Sequence, residues 1–179
     1  MVRPSESARA GFTLLETLFV VAVLGVLVAL ALPAYQNVLT ERRVQNVARE
    51  VAADLRVAQQ AAVAKSAEAK CVGVAFLSNR VAVYVVPQDA SFNCSTPTAS
   101  ALEAYGVLMT SQDYPLGVAV SPSPGDAVAF LPSGSPYPTC RTSGCTGFRA
   151  TVSSGAHSRA VCVGAAGLVS VPSPGEGCP

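Results

Sequence analysis

Gly11-Phe12-Thr13-Leu14-Leu15-Glu16 is the stretch on which the reading of this chain turns. It opens an apolar run from Phe12 to Leu32 in which Glu16 is the one ionisable residue. About 20 such residues at about 1.5 Å rise cross a hydrocarbon core about 30 Å thick, so the run reads as a membrane helix. A carboxylate near the centre of such a helix costs on the order of 3 kcal/mol on insertion scales, and less towards an end, where Glu16 sits. Its presence there calls for a compensating interaction. Before the run, Arg3 and Arg9 outweigh Glu6, as expected of a segment held on the cytoplasmic side.

These residues resemble the class III signal of type IV prepilins and type II secretion pseudopilins. The resemblance implies a leader, residues 1–11, removed by a prepilin peptidase that cuts between Gly11 and Phe12. It also implies N-methylation of Phe12 and an assembly role for Glu16. Helical residues four apart are neighbours, so the freed ammonium of Phe12 and the Glu16 carboxylate would share one end and face. At an effective dielectric near 20, opposite charges about 4 Å apart attract by roughly 4 kcal/mol before desolvation. That matches the insertion cost, so pairing within a subunit or between subunits would favour ordered helix packing. The competing reading is an ordinary secretory signal, with a core from Phe12 to Val28 and a small-x-small cleavage site at Ala29-Leu30-Ala31. Glu16 inside the core argues against it, as does a helical pattern that continues past Ala31.

Beyond Leu32 the pattern becomes amphipathic. Val44, Val47, Val51, Leu55, Ala58 and Ala62 recur at steps of three and four, one stripe of a helix that continues to about Ser66. Gly25 and Pro33 predict a flexible point and a kink rather than ends. From Cys71 the period switches to two. Cys71–Phe76 and Val81–Val86 read as a hairpin turning at Leu77-Ser78-Asn79-Arg80. Further strands are expected at 106–110, 116–121, 127–131, 148–152, 158–163 and 168–171, separated by Pro- and Gly-rich turns. Pro87–Tyr105 carries no clear element and reads as a variable surface loop. The expected fold class is α+β, with a long N-terminal helix on a two-sheet antiparallel head. Its parts are a leader (1–11), a transmembrane or filament-core helix (12–33), its amphipathic continuation (34–66) and a periplasmic or extracellular head (67–179).

Phe130-Leu-Pro-Ser-Gly134 and a closing pair of strands around Arg159–Val163 and Gly164-Ala-Ala-Gly167 resemble the FimT/GspH-like minor pilins and pseudopilins. The implied function is a structural subunit, first as a minor pilin of a type IV pilus, second as a pseudopilin of a type II secretion system, and third as a DNA-binding tip pilin for natural transformation. The implied partners are other pilin subunits, the prepilin peptidase, the inner membrane before assembly, and a pilus or secretion assembly platform. DNA-binding members of that family carry a C-terminal Gly-Arg-x-Arg. Here the positions are Gly167-Leu168-Val169-Ser170, so a DNA partner has only Arg141, Arg149 and Arg159 as weak contact candidates.

Composition sets further bounds. The chain has 12 basic and 11 acidic residues, and losing the leader leaves ten of each. A neutral mature chain argues against a strongly electrostatic partner, since a nucleic-acid binder usually shows a clustered basic face. All six cysteines, Cys71, Cys94, Cys140, Cys145, Cys162 and Cys178, follow the apolar helix. In a translocated domain an even number implies disulfides. Of 15 connectivities, proximity favours Cys71 with Cys94, Cys140 with Cys145, and Cys162 with Cys178. A zinc site at Cys140 and Cys145 lacks a second ligand pair, His157 sits in a turn, and no Walker-type loop occurs. No metal, cofactor or enzymatic activity is expected.

Overall fold

The computed structural model describes residues 13–137 and 147–178. Gly11, Phe12, Cys140, Arg141 and Cys145 therefore lie outside the described residues. The chain forms two compact units, Met1–Leu39 and Thr40–Pro179. Helix α1 (Leu14–Ala64) begins in the first and ends in the second, unbroken at Gly25 and Pro33 and closing two residues before the expected end.

Among the described residues the head contains nine strands. β1 (Ala69–Phe76) and β2 (Arg80–Pro87) form the expected hairpin, closed by a Leu77 N–H to Arg80 carbonyl bond of 2.8 Å. β3 (Val107–Asp113), β4 (Ala119–Ser123), β5 (Ala127–Phe130), β7 (Gly147–Ser154), β8 (His157–Gly164) and β9 (Val169–Ser170) correspond to the other six expected strands. β6 (Pro136–Tyr137) is a two-residue addition that pairs with β5 just after the Pro132–Ser135 turn. All pairings are antiparallel, in a five-stranded sheet ordered β3-β2-β1-β5-β6 and a four-stranded sheet ordered β4-β7-β8-β9.

The stripe Val44, Val47, Val51, Leu55, Ala58 and Ala62 is buried to within 2% of its surface, in a single core drawn from α1 and both sheets. Val72, Val74, Val83 and Val128 come from the five-stranded sheet, and Phe148, Ala150, Val152, Val161 and Val163 from the four-stranded one. The rings of Phe76 and Phe148 join the sheets, their centroids 5.3 Å apart. Period 3.6 on the helix and period 2 on the strands thus converge on one apolar volume.

The expectation of an elementless loop from Pro87 to Tyr105 is corrected. Helix α2 (Ala99–Tyr105) occupies its end, capped by Thr98, whose hydroxyl accepts the Ala101 N–H, while the Asp126 carboxylate accepts the Ala99 N–H at 3.0 Å. Only Ala99 and Leu102 of this helix are buried, too few for an amphipathic signature. Leu102 packs directly over Gly73 of β1, where any Cβ would collide with its methyl groups. With Phe92 and the Cys71–Cys94 disulfide, α2 covers the second face of the five-stranded sheet in a separate apolar cluster.

Candidate functional site

The N-terminal surface is an uncovered apolar helix. From Leu14 to Val38 every side chain described in α1 is exposed, Leu14 at 79% and Leu24 at 53%. At about 1.5 Å per residue the part before Thr40 is about 39 Å long, more than the bilayer's hydrocarbon thickness. By length and composition this helix can cross a membrane. An all-round apolar surface has no polar face to give to water, so its stable surroundings are lipid or other helices.

Glu16 stands in the first turn of this helix. The Thr13 hydroxyl accepts the Glu16 N–H at 3.2 Å, and the Thr13 carbonyl accepts from Glu16 and Thr17. Thr13-Leu14-Leu15-Glu16 is therefore an N-terminal cap with an acid at its third helical position, where the macrodipole favours negative charge. Sequence reasoning singled out Glu16 for its charge and missed this local role, although Thr-x-x-Glu before an apolar run is its signature. The Glu16 side chain remains exposed and free to face a neighbour.

In the head, one side chain of the helix bonds one turn and packs against a second. Gln59 of α1 donates to the Gly134 carbonyl at 3.0 Å, inside the turn closed by Gly134 N–H to Leu131 carbonyl. Gly134 and Gly167 both have positive φ, +81° and +85°. A Cβ on Gly167 would strike the Gln59 amide and come within 2.6 Å of the Gly134 carbonyl oxygen. The Phe130–Gly134 and Gly164–Gly167 motifs, far apart in sequence, thus meet on Gln59. Arg56 adds a bond to the Val169 carbonyl at 3.2 Å, holding β9 against α1.

Cys71 is bonded to Cys94 and Cys162 to Cys178, as proximity favours. The first ties β1 to the segment before α2, and the second ties the chain's end to the middle of β8.

Of the candidate DNA-contact arginines, Arg141 lies outside the described residues, and Arg149 and Arg159 are not brought together. Arg159 pairs with Val152 across the β7–β8 ladder, on the core face, and reaches Glu41 of α1 at 3.7 Å. Arg149 pairs with Cys162 and points from the opposite face of the same sheet. Sequence reasoning missed Arg49, which joins Arg159, Gln45 and the tail Val171–Pro174 around an open cleft of about 390 Å³. No composition signal marks Arg49, because its significance depends on where the tail returns. His157 lies at the β7–β8 turn, opposite Ser154. Among the described residues no cluster of His, Cys, Asp or Glu is arranged to hold a metal.

Two polar groups in the core rim are poorly satisfied. Asp54 Oδ2 and the Tyr114 hydroxyl are shielded from solvent without a protein hydrogen-bond partner. Burial, then the nearby Glu50, pushes the Asp54 carboxyl above the usual carboxylate range. Burial, then Asp54 itself, pushes the Tyr114 phenol upward.

Comparison with known proteins agrees with this division. The prokaryotic N-terminal methylation motif matches residues 7–32, and the family described as type II transport protein GspH matches residues 47–167. The chain is similar to the type IV major alpha-pilin of Moraxella bovis, 45% identical over 47 residues that cover 26% of this chain and 30% of that protein. It is similar to the type IV major fimbrial protein FimA of Dichelobacter nodosus, 44% over 45 residues, 25% of this chain and 29% of that protein. A fimbrial protein of Pseudomonas aeruginosa is 39% identical over 61 residues, 34% of this chain and 39% of that protein. The chain thus spans well under half the length of these relatives. No solved structure matches the chain significantly. These families supply structural subunits rather than enzymes. With the methylation motif before it and a match over more than half of its length, the chain belongs to the GspH family within the type IV pilin and pseudopilin superfamily.

Proposed function

We propose that this chain is a low-copy subunit of a type IV pilus, made as a prepilin, cut between Gly11 and Phe12, N-methylated at Phe12, and assembled with other pilin subunits through the first half of α1. The observation that carries this reading is the uncovered apolar helix with a single carboxylate in its capped first turn. Lipid can hold such a helix before assembly, with the head on the periplasmic side, and the helices of neighbouring subunits replace lipid in the filament. Glu16 then pairs with the Phe12 ammonium of its own or an adjacent chain, which sets register. Likeness to the pilins and fimbrial proteins is confined to at most 61 residues, while the head matches a different family. A shared assembly helix under a distinct head is what a minor subunit requires.

A second reading, a pseudopilin of a type II secretion system, is favoured by the head's family match over residues 47–167. Deletion separates the two. Loss of a minor pilin is expected to reduce surface pili and leave secretion intact; the reverse pattern would establish the second reading. For the common mechanism, Glu16→Ala should leave the chain in the membrane fraction and remove it from sheared filaments. Undiminished incorporation would refute the role of Glu16.

A further inference from the structure

Of the four sheet edges, three are blunted against pairing. β4 carries Pro122 one residue from its end, and β6 and β9 are each two residues long among the described residues. β3 is different: seven residues, no proline, no cation, one acid at its far end, and every residue exposed. Its inner side pairs with β2, and its outer side has no strand beside it among the described residues. Open edges with unpaired backbone groups are normally managed by exactly the devices used on the other three.

Apolar surface gathers at the same place. Of the eight exposed large hydrophobics after Thr40 among the described residues, five lie between Tyr105 and Leu116: Tyr105, Val107, Leu108, Met109 and Leu116. Leu116 is 97% exposed, on a turn closed by the Val118 N–H to Pro115 carbonyl bond with Gly117 at φ +82°. The register shift between Val83 and Tyr84 leaves Met109 as a bulge. Thr110–Asp113 therefore forms a regular ladder edge, flanked by apolar groups on both sides.

We propose that the outer edge of β3 accepts an extended strand from a different, non-identical subunit of the same assembly. A second copy of this chain fits poorly. Antiparallel self-pairing about Thr110 sets Leu108 against Gln112 and Val107 against Asp113, and in-register parallel pairing sets Asp113 beside Asp113. The other edges of a second copy are the blunted ones. Size also selects the partner. A strand of seven residues is about 23 Å long, and beside it a sheet about 10 Å thick offers far less than the about 800 Å² per partner of a stable interface. Such an edge works when its partner is already held nearby, as neighbouring subunits are by their membrane or filament helices. The identity of the partner as a fellow subunit rests on the function proposed above.

The test places a photo-crosslinking benzoylphenylalanine at Leu108 in the full-length chain in its native membrane, with Leu168, 70% exposed in the turn between β8 and β9, as the control position. The expected product is an adduct at Leu108, at least about tenfold above Leu168, mapped by mass spectrometry to a strand of another subunit with its own N-terminal apolar helix. Thr110→Lys with Gln112→Lys, both at exposed positions, should lower that yield about tenfold without changing the unfolding curve. Adducts chiefly between copies of this chain, equal yields at the two positions, or yields unmoved by the lysines would overturn the proposal. Filament incorporation without the adduct refutes the edge and leaves the filament reading standing. The mapped adduct without filament incorporation does the opposite.

Discussion

The two halves of α1 obey the same backbone geometry and opposite surface rules. Before Thr40 every described side chain but that of Leu39 is exposed, although most are apolar; beyond it one stripe is buried and the charged residues take the remaining faces. The second half is satisfied by its own head, whereas the first is complete only in lipid or among other chains. One helix can therefore be stable in a fold and unfinished as a surface.

The largest effects should fall on one half at a time. Leu55→Ala removes a side chain with no exposed surface from the centre of the stripe and should cost about 2 to 5 kcal/mol in denaturant unfolding of the detergent-solubilised chain. Leu24→Ala, on the exposed half, should leave the unfolding midpoint where it is and reduce filament incorporation instead. Equal effects of the two on unfolding would break the comparison. Replacing Cys71 and Cys94 together by serine should cost about 2 to 4 kcal/mol, again within the head alone, read as a lower unfolding midpoint. Gly167→Ala forces a Cβ at positive φ into Gln59 and the Gly134 carbonyl and should cost about 1 to 3 kcal/mol. Gln59→Ala should soften that penalty, as a double-mutant cycle would measure.

The smallest effect carries the opposite sign. Asp54 is held above its ordinary pKa, so the folded head prefers it protonated and stability falls as pH rises through its range. Asp54→Asn should therefore stabilise at neutral pH, by under about 1 kcal/mol because the group is only half buried. The gain should fade as pH drops towards the ordinary carboxylate range, and Tm measured against pH checks it. A gain that persists at low pH would assign the effect to something other than the charge.

Features legible in the sequence were those with a period. The stripe from Val44 to Ala62, the β1–β2 hairpin and the succession of strands follow from steps of three, four and two. Features without a period escaped. Helix α2 buries two residues, and β6 exists because a turn returns the chain to β5. At the candidate sites, Glu16 was conspicuous as a charge in an apolar run. The meeting of two distant glycine turns at Gln59, the separation of Arg149 from Arg159, and the place of Arg49 in a cleft formed by the tail depend on contacts between residues far apart in sequence.

The stripe and the disulfides also set how the head would answer a pull. Tension along α1 loads the stripe in shear, so that its contacts resist together rather than peeling one by one. Were the seam to yield, the chain could not unspool freely. The bonds spanning 23 and 16 residues withhold about 80 Å and about 55 Å of contour length from extension.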